Sequence, residues 1–352
     1  MEAPDATAVR AGEELNAAAL CGYLRGKVEG VGDRLEIKQF PGGHSNLTYL
    51  LRSGGREYVL RRPPLGPVAP KAHDMAREFR ILRAISPCFP PSPAVYLVCE
   101  NPAVIGAPFF VMERRRGAVI RREIPPPLRG HKRLPARVSE AFVQCLAQLH
   151  SIDIERHGLA SLGRPEGFLE RQIRGWSERW ARAKTHDLPE MENLSRWLAA
   201  KRPAAQTPAI VHNDFKLDNV MLDEQDCGKI VAVLDWELTT VGDPMVDVGT
   251  VLSYWSEPGD PEMRREAISP ITAQPGWFSR REFLRRYQSL TGRDLSDVTY
   301  FEVFGLFKLA VILQQIYYRF HAGQTSDERF RDFHLRVKGL AEAATLVVET
   351  PR

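Results

Sequence analysis

The chain has 352 residues, of which 43% are hydrophobic and 26% charged, with a net charge of +4. That composition excludes a mainly disordered, collagenous or coiled-coil chain, and the length allows one large domain or two coupled units. A charge excess this small argues against a nucleic-acid partner. The five cysteines, Cys21, Cys88, Cys99, Cys145 and Cys227, are scattered and form no CxxC pair. They argue against a zinc site or a disulfide framework and for a reducing compartment. Glu2, Asp5, Glu13 and Glu14 break up the N-terminus, so no signal peptide is read there, and Lys308 interrupts the apolar run 303–312, so no membrane span is expected. A cytoplasmic location is the expectation.

In chain order, 35–40, 47–52 and 57–62 read as strands separated by Pro41-Gly42-Gly43 and Ser53-Gly54-Gly55, an antiparallel meander. Met75, Phe79, Leu82 and Ile85 fall at helical spacing within 72–85, and two short strands follow at 95–99 and 109–113. Residues 1–113 are therefore expected to form a small unit with an antiparallel sheet. Between 114 and 137 stand nine Lys/Arg and one acid, Glu123, around Pro125-Pro126-Pro127. This run is either a solvated loop or a surface for an anionic ligand. Beyond it the period becomes helical at 139–150, 167–183, 282–290, 300–320 and 330–348, so 114–352 is expected to be mostly helical and the whole chain α+β.

One stretch of the helical half behaves differently. Apolar runs at 219–222 and 229–234 flank a polar turn at 223–228, the pattern of a hairpin that brings position 219 opposite about 233–235. Asn219 and Asp235 then converge as hard oxygen ligands of the kind Mg²⁺ accepts. Just upstream, His212-Asn213-Asp214-Phe215-Lys216-Leu217-Asp218-Asn219 is a loop dense in polar groups. Asp214, five residues before Asn219, is a candidate to accept a hydroxyl proton beside a metal, and Lys216 supplies a cation for transferred charge. The same cluster is also compatible with a surface turn of satisfied Asx side chains.

The pattern H-N-D-x-K-x-x-N, followed sixteen residues after its Asn by Leu234-Asp235-Trp236-Glu237, resembles the catalytic and metal loops of the aminoglycoside phosphotransferase and choline kinase group, relatives of the protein kinases. The resemblance implies a two-lobed kinase-like fold, ATP and Mg²⁺ as cofactors, and a small-molecule hydroxyl as acceptor. By position it implies Asp214 as catalytic base, Lys216 as a contact to the γ-phosphate, His212 as a brace of the loop, and Asn219 and Asp235 as metal ligands. Glu237 is a weaker candidate for a second metal. Gly42-Gly43-His44-Ser45-Asn46 resembles the phosphate-covering loop, where Gly42, Gly43, Ser45 and Asn46 would face the anion. Arg61 stands where these kinases carry the lysine of strand three, and Glu78, on the edge of an apolar helical stripe, is its implied partner. Met112 and Glu113 fall in the implied hinge, and Asp247 at the aspartate that holds the catalytic loop.

The similarity narrows through Tyr58 to Pro64, Gly163-Arg164-Pro165 with Arg171-Gln172, and Gln314 to Arg319. These segments resemble the kinase-like domain fused to acyl-CoA dehydrogenases of family members ten and eleven and its free-standing bacterial relatives, in which an arginine in strand three is expected. The implied acceptor is a metabolite hydroxyl, such as that of a hydroxyacyl-CoA. An aminoglycoside-modifying kinase and a nucleotide-binding pseudokinase are the alternatives.

Overall fold

Alternating burial along the N-terminal meander is realised in a five-stranded sheet. The computed structural model describes residues 5–41, 46–65 and 74–350. The chain divides into two units, Met1–Arg116 with Val231–Glu237, and Gly117–Ile230 with Leu238–Arg352. In the first unit, helix α1 (Ala17–Leu24) precedes strands β1 (Glu36–Gln39), β2 (Leu47–Ser53) and β3 (Arg56–Arg62), then helix α2 (Met75–Ile85) and strands β4 (Val95–Cys99) and β5 (Phe109–Glu113). The sheet order is β1-β2-β3-β5-β4, and every pairing is antiparallel.

Strand geometry sends successive side chains of β3 to opposite faces. Tyr58 and Leu60 join Leu20, Leu24, Tyr49, Leu51, Phe109 and Val111 in one buried cluster. Arg61, on the alternate face, lies opposite Phe110 in the register, and the Phe110 ring meets Phe79 of α2 edge-on at 6.5 Å. Helix α2 starts where Asp74 accepts a hydrogen bond from the Arg77 N–H at 2.8 Å, and it buries Met75, Glu78, Phe79, Ile81, Leu82 and Ile85. An acid is thereby buried along with the apolar stripe. The segment Val231–Glu237 belongs to this unit because the Val233 N–H donates to the Pro91 carbonyl at 2.8 Å and Trp236 packs on Phe89.

The second unit contains helices α3 (Leu134–His150), α4 (Phe168–Ala183) and α5 (Pro189–Ala200), and strands β6 (Ala209–Val211) and β7 (Val220–Leu222). Strand β8 (Ile230–Val233) begins in it, and β9 (Thr240–Gly242), α6 (Met245–Tyr254), α7 (Glu262–Ala267), α8 (Arg280–Thr291), α9 (Val298–His321) and α10 (Phe333–Glu349) follow. Strands β6 and β9 pair antiparallel, with Val211 opposite Thr240. The polar turn after β7 is closed by the Asp223 N–H on the Lys229 carbonyl at 2.9 Å.

Helix α9 is the centre of this unit and packs against α4, α6 and α10. By length and apolar composition it qualifies as a membrane-crossing helix, against the sequence expectation, yet 72% of its most apolar window is buried inside the protein. It is a core helix. Its crossing with α6 requires glycine on both sides: a Cβ on Gly249 would stand 2.0 Å from the Phe301 carbonyl oxygen, and one on Gly305 would stand 2.3 Å from that of Gly249.

Candidate active site

In the first unit a single guanidinium organises the acidic side chains. Arg61 Nη1 lies 2.7 Å from Glu78 Oε1, Nη2 lies 2.7 Å from Asp235 Oδ1, and Glu237 Oε2 is 3.9 Å away. Burial alone would lower the Arg61 pKa, but Glu78 and Asp235 outweigh it and hold the group charged. Burial pushes the Glu78 carboxyl up, while the charge of Arg61 and the Trp236 backbone N–H pull it back. Asp235 adopts a left-handed backbone, with φ of 65°. Glu237 accepts from Asn46 Nδ2 at 2.9 Å, and its carbonyl accepts from Arg77. Gly42, Gly43 and Ser45 lie outside the described residues.

Strand β5 ends at the implied hinge. The Glu113 N–H donates to the Ala94 carbonyl at 2.8 Å, and its carboxylate accepts from the Ala94 N–H and pairs with Arg115. That N–H is therefore used within the sheet, which leaves other hinge groups to meet an adenine. Met112 lies opposite Val59 of β3.

In the second unit the catalytic-loop residues are held through their main chain. Asp247 of α6 accepts the His212 N–H on Oδ2 and the Asn213 N–H on Oδ1, both at 2.7 Å. His150 of α3 approaches the same Oδ2 at 3.2 Å through Nε2, and its Nδ1 is 2.7 Å from the Tyr287 hydroxyl. Burial lowers the His150 pKa, with Asp247 opposing. His212 is fully buried, and its Nδ1 accepts the Asp214 N–H at 3.3 Å. Asn213 is left-handed, with φ of 67°; its Nδ2 donates to the Leu238 carbonyl at 2.9 Å, and its own carbonyl accepts from Lys308 of α9.

These contacts present Asp214 with two partners. Asn219 Nδ2 donates to both the carbonyl and Oδ2 of Asp214 at 2.8 Å, which turns the Asn219 amide oxygen away for another use. Lys216 Nζ is 2.9 Å from Asp214 Oδ2 and lies over the Tyr254 ring at 4.9 Å. Burial disfavours the Lys216 charge, but Tyr254 and Asp214 outweigh it and raise the pKa. The Tyr254 phenol is pushed up to about 12 by burial, against the pull of Lys216.

The basic run divides between three environments. Arg114 pairs with Asp5, Arg115 with Glu113 and Arg116 with Glu57 in the first unit, and Arg137 pairs with Asp226 in the second. Arg121, Arg122 and Arg129 are exposed. Asp218, raised by desolvation, is pulled back by Lys216 and then by Arg121 and Arg122, so those two cations stand by the catalytic loop. Two segments of the narrower resemblance prove to be structural. Arg171 donates to the Arg164 and Glu166 carbonyls and closes the loop before α4, and Gln314 Nε2 donates to the Ala183 carbonyl at its end.

The structure thus groups Arg61, Glu78, Asp235, Glu237 and Asn46 in one unit, and His212, Asp214, Lys216, Asn219 and Asp247 in the other. The sequence reading missed Lys308, Tyr254 and the tie between His150 and Asp247. The lone lysine within an otherwise apolar helix was the available signal for Lys308.

A unit with an antiparallel sheet and the Arg61–Glu78 pair, and a helical unit with the polar loop around Asp214, are those of a small-molecule kinase. Residues 36–283 match the model of the phosphotransferase enzyme family, and the chain belongs to that family. A crystal structure of a proposed aminoglycoside phosphotransferase from Ralstonia eutropha superimposes with a TM-score of 0.81 at 30% identity, covering 96% of this chain and 99% of that one. Choline kinase from Cryptosporidium parvum shares the fold, with a TM-score of 0.64 at 13% identity and coverage of 94% of each chain. In sequence, the chain is 34% identical over 312 residues to mouse acyl-CoA dehydrogenase family member 10, covering 88% of this chain and 29% of that protein. The chain spans 29% to 42% of the length of these curated relatives.

Proposed function

We propose that the protein transfers the γ-phosphoryl group of ATP to the hydroxyl of a small anionic metabolite, with a hydroxyacyl-CoA as the leading case. The observation that carries the acceptor half of this reading is the charge around Asp214. Lys216 is in contact with it, Lys308 acts on the same loop, and Arg121 and Arg122 act on neighbouring Asp218. Such surroundings attract an anion and repel a polycation such as an aminoglycoside. The name of the mouse relative agrees with an acyl-CoA, although the similarity covers a minor part of that protein.

In this reading Asp214 orients the acceptor hydroxyl and takes its proton, while Lys216 offsets charge as the phosphoryl group moves. Arg61, fixed by Glu78, holds the α- and β-phosphates; Asn46 and the residues before it cover them, and the strand end at Met112 and Glu113 meets the adenine. Asp235 and Asn219 are the residues that would each offer an oxygen to Mg²⁺. The donor set fits, since a carboxylate and an amide oxygen freed by the Asn219 Nδ2 contacts are both hard ligands. When bound, the ion would neutralise phosphate charge.

The test is a ³¹P-detected screen of hydroxyacyl-CoAs, amino alcohols and aminoglycosides with Mg-ATP. Phosphorylation of a hydroxyacyl-CoA, with binding that weakens steeply with salt and on neutralising Arg121, Arg122 and Arg129 together, is the expected result. A cationic aminoglycoside as the best acceptor would overturn the anionic reading, and no transfer from ATP to any acceptor would favour a pseudokinase.

A further inference from the structure

Lys308 is a buried cation to which no direct contact with phosphate or acceptor has been assigned. It is 5% exposed, and among the described residues no carboxylate lies within ion-pair range of its ammonium. Its hydrogen bond goes to the Asn213 carbonyl, and its other neighbour is the Trp176 ring, 5.6 Å from Nζ. Burial lowers its pKa; Asp214 and then Asp247 oppose that, while Lys216 and Arg179 add to it. An ammonium without a direct counter-ion in a protein core is costly, and a methionine would fill the same volume at lower cost. Its retention therefore calls for a task that an apolar side chain cannot perform.

The location of its hydrogen bond supplies that task. Asn213 is a non-glycine residue in the left-handed region, a conformation that persists only when its surroundings over-determine it. Asp247 grips the peptide N–H, Leu238 takes the side-chain amide, and Lys308 takes the carbonyl. That carbonyl belongs to the peptide joining Asn213 to Asp214, so fixing it fixes the plane from which the Asp214 side chain departs. Helix α9 presents Lys308 one turn beyond Gly305, where α9 touches α6, and α6 carries Asp247. Both of these anchors of the Asn213 backbone, one on its N–H and one on its carbonyl, thus come from one tight helix crossing.

We propose that Lys308 is a positioning residue for phosphoryl transfer, which sets the orientation of Asp214 through the Asn213 carbonyl. This rests on the reading of Asp214 as the base. Lys308→Met is expected to lower kcat by about 10- to 100-fold, with the KM for ATP within about twofold of wild type. Amide exchange at 213–215 should accelerate in the same variant. Lys308→Gln, which keeps a donor for the carbonyl, should recover part of the rate, and it carries the measurements if Lys308→Met does not fold. The rates are followed with Mg-ATP and the leading acceptor of the screen, alongside phosphate release to water.

The decisive comparison is a cycle with Asp214→Asn. If Lys308 acts through Asp214, Lys308→Met should cost almost nothing further in the Asp214→Asn background, because residues acting as a unit are not additive. A fully additive loss, or parental kcat and exchange in Lys308→Met, would overturn the proposal. If Asp214→Asn alone keeps the parental rate, the assignment of the base fails first, and the role of Lys308 falls with it.

Discussion

Arg61 and Asp235 are joined at 2.7 Å through one guanidinium nitrogen, while the other nitrogen of the same group grips Glu78. The residue read as a phosphate contact is thus also the counter-ion of a residue read as a metal ligand. Removing either acid leaves Arg61 the other and the more distant Glu237, whereas removing Arg61 takes the shared cation from both acids at once.

That asymmetry predicts unequal costs. Arg61→Ala leaves Glu78, 1% exposed, without its cation, and should destabilise by about 3–5 kcal/mol in urea unfolding. Glu78→Ala should cost less, about 1–3 kcal/mol, since Asp235 remains. The double variant should lose less than the two singles combined. In Arg61→Ala, burial raises the Glu78 pKa further, with the Trp236 N–H left to oppose it. The folded state then holds a proton that the unfolded state releases, so stability falls as pH rises above the unfolded carboxyl value. The penalty should be smaller at pH 5 than at pH 8. A pH-independent penalty would argue against a stranded Glu78.

Asp214→Asn and Asp235→Ala should separate chemistry from binding. The first should lower kcat by about 10²- to 10⁴-fold while calorimetric Mg-ATP affinity stays near wild type. The second should weaken Mg-ATP and leave Arg61 to Glu78 and the more distant Glu237. Parental turnover and affinity in both would refute the site.

Asp247 and His150 predict an acid-sensitive fold. Asp247→Ala removes the acceptor of two buried backbone N–H groups, at about 1–3 kcal/mol for each. Burial holds the His150 pKa below its unfolded value, with Asp247 opposing. The contribution of His150 to stability is present above the unfolded histidine value and is lost as pH falls below it. The melting temperature should therefore decline between pH 7 and pH 5, and decline less in His150→Gln. An equal decline in both would place the sensitivity elsewhere.

The helix crossing predicts a lesion without chemistry. Gly305→Ala puts a methyl group against the Gly249 carbonyl, where the neighbour is backbone and cannot rotate away. The expected cost is about 1–3 kcal/mol or more, read by thermal melting. An unchanged midpoint would show that the helices can part without penalty.

The sheet was legible because alternation and turn residues agree: 95–99 and 109–113 are the observed bounds of β4 and β5. Helix α3 begins at Leu134, five residues before its periodic stretch, because Pro135 is tolerated in a first turn. Helix α6 went unread because it is buried on nearly every side and shows no apolar stripe. The motifs located Asp214, Asn219 and Asp235, but the hydrogen bond from Lys308 to Asn213 spans ninety-five positions, and local pattern carries no trace of such a contact.

Asp247 and Lys308 hold the loop through its peptide groups. The loop therefore gives up its conformational entropy once, when the protein folds, and each turnover starts from a backbone already in place. Divergence toward a new acceptor would then proceed by altering the charged residues that stand around the loop, leaving the geometry of proton removal intact.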